Sequence, residues 1–146
     1  FPKKFVRVND EADTGAIALG QSMILDVADA INETSEKGGF QVRIANAEDS
    51  ILACGVSAEA QTAAETEKTD GLLIQYAGFN DDCTADSGGA IAIGVLVGTG
   101  TGDGDGRVQT AAAWSQTASP FGVCVEAFTV SAADGSILIW DRGYFG

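Results

Sequence analysis

Histidine is absent from this chain of 146 residues, and its three cysteines lie far apart. Each shortage removes some chemistry. Serine or cysteine catalysis relies on a proton acceptor beside the nucleophile, and the usual imidazole is missing. Zinc sites assembled from cysteine and histidine reduce to four cysteines, and the chain has three. Cys54, Cys83 and Cys124 form no closely spaced pair, so they read as structural thiols. Cys124, inside an apolar run, is expected to act as a small core residue. Long hydrophobic runs are lacking too. The longest, Ala90 to Val97, is strand-sized and interrupted by Gly94, well short of the roughly 18 residues of a membrane span. The composition predicts one soluble globular domain with no membrane partner.

Positive charge is scarce. Eight Lys and Arg face 21 Asp and Glu, for a net charge of −13. Such an acidic body repels phosphates, which argues against nucleic acid as a partner. It also keeps a protein soluble at high local concentration, as display in many copies requires. The basic residues cluster at the start. Phe1, Lys3, Lys4, Phe5 and Arg7, with Val6 and Val8, predict an extended arm over residues 1–9 that docks on an acidic neighbour, with a disordered end as the alternative. Phe1 is not expected to be the translation start, because initiator methionine is not normally removed before a bulky residue.

What the chain does have is an ordered set of blocks that occurs twice. Gly15-Ala16-Ile17-Ala18-Leu19-Gly20 returns as Gly89-Ala90-Ile91-Ala92-Ile93-Gly94. Gln41-Val42-Arg43-Ile44-Ala45 returns as Arg107-Val108-Gln109-Thr110-Ala111. Gly55-Val56-Ser57-Ala58-Glu59-Ala60 returns as Gly122-Val123-Cys124-Val125-Glu126-Ala127. Gly71-Leu72-Leu73-Ile74-Gln75-Tyr76 returns as Gly135-Ser136-Ile137-Leu138-Ile139-Trp140. Two copies are too few for a solenoid, so they predict two similar β-motifs, residues 15–79 and 89–146, within a single domain spanning 10–146.

Between its first and second blocks, copy one carries a variable excursion. Asp26 can cap a helix bearing Val27, Ala30 and Ile31 and ended by Gly38, which predicts one short helix near residues 26–37. Copy two holds glycines alternating from Gly98 to Gly106 there, a surface loop. In the third blocks, Val56, Ala58, Ala60 and Val123, Val125, Ala127 follow a period of two, and Glu59 and Glu126 fall on the opposite side. Asp70-Gly71 and Asp134-Gly135 are turn dipeptides that start return strands. Asn80 to Gly88 reads as a turn-rich linker. The sum is seven to ten short strands in an all-β fold, a compact sandwich or barrel.

Candidate chemistry is sparse. Glu59 and Glu126 could serve as paired carboxylates of a glycosidase, but duplication alone leaves two equivalent glutamates, so no catalytic residue is assigned. Asp103 and Asp105 in Thr101-Gly102-Asp103-Gly104-Asp105-Gly106 are weak calcium candidates. Counted from Asp103, the twelfth position of a calcium loop is Trp114, which cannot ligate. No Gly-x-Gly-x-x-Gly occurs, Asn32-Glu33-Thr34 is a glycosylation sequon by pattern only, and no metal or cofactor is expected.

The run Ser119-Pro120-Phe121-Gly122-Val123-Cys124-Val125-Glu126-Ala127, a small-residue loop, then Asp134-Gly135-Ser136-Ile137-Leu138-Ile139, resembles the cement or decoration proteins of tailed-bacteriophage capsids. Asp49 to Ala60 and Gly88 to Val97 share that texture. The resemblance implies a non-enzymatic virion protein on the outer capsid surface, bound to the major capsid protein and present as a homotrimer. It also implies lattice contacts through an extended N-terminal arm. The insert at Asp26–Gly39 and the acidic loop before Asp70 depart from the simplest members. A secreted or surface-displayed β-module, such as an adhesin or pilus-like subunit, is the alternative from another class, and an acidic hydrolase is a third.

Overall fold

The computed structural model describes residues 3–8, 16–25, 41–48, 50–63, 71–86, 90–100, 106–111, 119–129 and 134–142. The expected helix near residues 26–37 and the Asp103–Asp105 loop lie outside the described residues. Among those described, the fold is all-β, with ten strands: β1 (Lys3–Val8), β2 (Ser22–Leu25), β3 (Gln41–Ile44), β4 (Ala53–Ser57), β5 (Gly71–Gln75), β6 (Gly78–Asn80), β7 (Leu96–Gly100), β8 (Arg107–Thr110), β9 (Gly122–Glu126) and β10 (Ser136–Ile139).

The strands form two sheets. The first curls into a small barrel in the order β1-β3-β2-β4-β5, closed because β1 pairs antiparallel with β5 and, at Arg7 and Val8, parallel with β3. The second runs β6-β10-β9-β7-β8. Its far edge is approached by the chain after β6, where Ala85 bridges Val108 in parallel. The two orders are the same once β1 to β5 are matched with β6, β7, β8, β9 and β10 in their places.

The match extends to individual ladder positions. Met23 pairs with Ile44 and Gly55 as Val97 pairs with Thr110 and Gly122. Ile17 bridges Gln61 as Ile91 bridges Phe128. Gly20 and Gly94 take left-handed φ values of 83° and 82° at equivalent turns, and their N–H groups donate to the carbonyls of Ser57 and Cys124. Only the fourth block slips. Aligned by sequence, Ile74 matches Leu138, but Ile74 faces Ser57 as Ile137 faces Cys124. A register shift at Ser136/Ile137 accounts for the single-residue offset, because it moves the inward-facing set along β10.

The sequence reading also places the copies too late. Residues expected as a free arm form β1, whose backbone partners are this chain's own β5 and β3. Gly78–Asn80, expected at the end of copy one and the start of a linker, is the edge strand of the second sheet. Removing the first seven residues therefore removes a barrel stave.

Each sheet encloses its own apolar cluster. Ile17, Met23, Val42, Ile44, Cys54, Leu72 and Ile74 fill the barrel. Ile91, Val97, Val108, Phe121, Cys124, Phe128, Ile137 and Ile139 fill the second unit, joined by Ala53 and Val56 of β4. All five residues of β4 are buried, so this strand is shared between the two clusters. A fully buried Ile or Phe side chain contributes ~1.5–3 kcal/mol.

Hydrogen bonds cross the joint. Ser22 N–H donates to the Gly106 carbonyl at 2.8 Å, and Gly106 N–H donates to the Ala45 carbonyl at 2.8 Å. Thr99 Oγ1 accepts from Ser50 N–H at 2.8 Å and donates to the Ala47 carbonyl at 2.7 Å. Arg142 reaches both units: its guanidinium donates to the Ile51 carbonyl at 2.9 Å, to Ser119 Oγ at 2.6 Å, and to the carbonyl of Pro120.

Two outcomes follow from this geometry. At Gly55, φ is +152° and an added Cβ would meet the Gln75 carbonyl oxygen at 2.3 Å, whereas at Gly94 nothing lies within 4 Å. In urea unfolding, Gly55→Ala should cost ~3 kcal/mol or more, and Gly94→Ala only the ~1–2 kcal/mol of its left-handed backbone. Arg142→Ala should cost ~2 kcal/mol by stranding carbonyls of both units, with Arg142→Lys recovering only part because it lacks the planar fork.

Candidate interaction surface

The side chains with chemical potential are largely occupied in holding strands together. Glu59 accepts a 2.8 Å hydrogen bond from Leu73 N–H, and Glu126 accepts a 2.9 Å bond from the Ser136 hydroxyl. Each glutamate thus ties its own return strand, one in each sheet. Asp134 accepts from the backbone N–H of Thr129 at 2.9 Å and from its hydroxyl. These hydrogen bonds hold the exposed Asp134 carboxyl below the usual range.

Of the residues expected to bind a partner, Lys3, Lys4, Phe5 and Arg7 sit on β1 within the barrel ring, and Phe1 lies outside the described residues. Asp103 and Asp105 also lie outside them. Among the described residues, no group of three or more Cys, Asp or Glu side chains is placed to hold a metal ion.

The thiols are buried and unpaired. Burial pushes Cys54 up to about 12, and it raises Cys83 and Cys124 as well, because a thiolate loses its hydration in an apolar surround. Cys83 Sγ donates to Asn80 Oδ1 at 3.1 Å, within a network that runs to Gln75. Cys124 stands where the first copy has Ser57, whose hydroxyl donates to the Ala18 carbonyl at 2.6 Å.

The described residues form two shallow depressions, among others. One, of about 390 Å³, is lined by Ala16, Ala18, Ala60, Gln61 and Thr62 among others. Gln61 uses its Nε2 on the Gly71 carbonyl, and its buried Oε1 has no partner. The other, of about 430 Å³, lies between Phe79, Asn80 and Asp81 of the β6 edge and Val125, Glu126 and Ser136 of the β9–β10 hairpin.

Among the described residues, apolar side chains other than the 42% exposed Ile51 reach solvent in two settings. Leu19 and Ile93, 45% and 68% exposed, occupy the same position at the tips of the duplicated turns. The second setting is a row across the outer face of the second sheet, in which Leu96, Val123, Leu138 and Phe79 are consecutive cross-strand partners. Leu96, Val123 and Leu138 are half-buried, and Phe79 is 54% exposed. Val123 and Val125 share one side of β9, as their period of two in the sequence predicts. That side, however, faces away from the sheet's own core, which is lined by Cys124, Ile137 and Ile139. No protein-family model matches the chain, and no curated protein resembles it significantly.

The buried thiols generate a prediction with a definite sign. Their folded-state values lie above the unfolded ones, so the stability they contribute is complete below about pH 9 and is lost as pH rises from 9 towards 12. Thermal unfolding should therefore occur at progressively lower temperature through that window. Cys54→Ala should reduce the slope, and an unchanged slope would show that Cys54 does not carry it. A thiol-reactive dye should label the native protein slowly and the urea-unfolded protein fully.

Proposed function

We propose that this protein is a structural component of a tailed-bacteriophage head, seated on the outside of the icosahedral shell and bracing the major capsid protein, as a homotrimer. One observation carries the reading. The segment whose sequence resembles capsid decoration proteins, Ser119 to Ile139, supplies β9 and β10 at the centre of the second sheet, joined as a hairpin. The resemblance therefore falls on a complete structural unit. A supporting point is that Glu59 and Glu126, the carboxylates weighed for hydrolysis, are each hydrogen-bonded to a neighbouring strand of their own sheet.

In this reading, contacts come from features the fold offers twice. Leu19 and Ile93 project from equivalent turns, and each can enter an apolar depression on a shell subunit. Lys3, Lys4 and Arg7, the basic residues expected to meet acidic neighbours, belong to β1, a strand of the barrel. A protein bound to the assembled shell and not to free subunits stabilises the shell by mass action. Repeated engagement across a lattice adds avidity when one oligomer spans several subunits.

Imaging of purified phage heads with and without the protein tests the proposal. Density for a β-domain over the shell exterior, lost when the gene is deleted and restored by added protein, is the expected result. The double variant Leu19→Ser, Ile93→Ser should fold with unchanged stability and occupy shells about tenfold less. If the protein is absent from purified virions and is found on a cell surface, the displayed β-module takes the place of this reading.

A further inference from the structure

One row of the fold is covered in the first copy and open in the second. Across β3, β2, β4 and β5, Ala45, Ser22, Val56 and Gln75 are all buried, and Gly106, Arg107 and Asn80 of the second unit bond onto them. Their counterparts Ala111, Leu96, Val123 and Leu138 are half-buried, and Phe79 ends the row 54% exposed. Leu96 and Leu138 stand where the buried row has Ser22 and Gln75. The row is thus more apolar where water reaches it, the reverse of ordinary surface composition.

The surroundings of the row select what can cover it. Strand addition is disfavoured at both edges of this sheet. On β6, Gln75 Nε2 takes the carbonyls of Ala77 and Phe79 at 3.2 and 2.6 Å. Beside β8, Asp86 N–H donates to the Val108 carbonyl at 2.9 Å, and Val108 N–H donates to the Thr84 carbonyl at 3.0 Å. The face therefore docks side chains, not a strand. Charge chooses among them. The depression of about 430 Å³ at the Phe79 end combines the apolar Phe79 and Val125 with the exposed carboxylates of Asp81 and Glu126. The described arginines are placed elsewhere: Arg43 is on β3, Arg142 binds carbonyls at the joint, and Arg107 reaches the Ala85 carbonyl at 3.5 Å.

We propose that the row docks a basic amphipathic segment of a partner protein, its apolar side chains lying across the strands and a lysine or arginine beyond them entering the Phe79 depression. The aliphatic stem of such a side chain lies against Phe79 and Val125, and its cation meets Asp81 and Glu126. Length agrees with this occupant. The row crosses β7, β9, β10 and β6, roughly 14 Å at ~4.8 Å per strand spacing. An extended segment covers about 13 Å between the first and third of three alternate residues. A second copy of this chain is disfavoured in the same seat, because facing rows would bring like carboxylates together. The inference needs no shell, so its test is separate from that of the proposed function.

The experiment titrates the isotope-labelled full chain with a synthetic peptide and follows amide chemical shifts, at a salt concentration where distant charges are screened. The probe carries leucine at three alternate positions and lysine two residues further on, and its control carries glutamate in place of the lysine. The lysine peptide should bind saturably, shift the amides of Leu96, Val123, Leu138, Phe79 and Asp81, and bind about tenfold more tightly than the control. Leu138→Ser with Phe79→Ser should weaken it about tenfold. Asp81→Asn with Glu126→Gln should abolish the preference for lysine, whereas Glu48→Gln, after β3, should leave it. Phe79→Ser alone, at an exposed position, serves if the double variant unfolds. Three results overturn the inference: neither peptide binds, the shifts spread over the acidic surface and survive the row variants, or the free protein dimerises through the row and so makes a second copy its occupant.

Discussion

The architecture depends on one joint, where the outer face of the first barrel is sealed by the edge of the second unit. Ser22 and Ala45 exchange backbone hydrogen bonds with Gly106, and Val56 passes into the second unit's apolar cluster. That joint leaves no room for a side chain at Gly106, where an added Cβ would meet Gln21 and Ile44 within 2.9 Å. A backbone approach this close requires the glycine, whose φ of +82° also suits few other residues. Because β4 belongs to both clusters, neither unit keeps its core intact alone.

The duplication was legible because its constraints are backbone ones. Gly20 and Gly94 are fixed by the same left-handed turn, and Gly55 and Gly122 by close approach to the carbonyls of Gln75 and Leu138. Such positions keep their residue type while the side chains around them diverge. The all-β class followed from the same glycines and from the period-two blocks between them. The fourth block misled by one residue, because a bulge preserves the sequence motif while shifting which residues face inward.

Two features were not legible, and the reasons differ. β1 reads as an arm because its charge suggests a solvent-exposed segment, and its partners are declared only through a long-range ladder with β5. The outer row was hidden by alternation itself. Val123 and Val125 carry the apolar signal of β9, whereas the inward position is Cys124, whose equivalent in the first copy is the polar Ser57. A strand apolar on both faces does not reveal from sequence which face is the core.

The network around Gln75 reaches beyond its role in the linker. Its amide Nε2 donates to the carbonyls of Ala77 and Phe79, and Asn80 anchors its Oε1. A further strand adding to the β6 edge would need those same oxygens, so the side chain blunts the sheet against runaway extension.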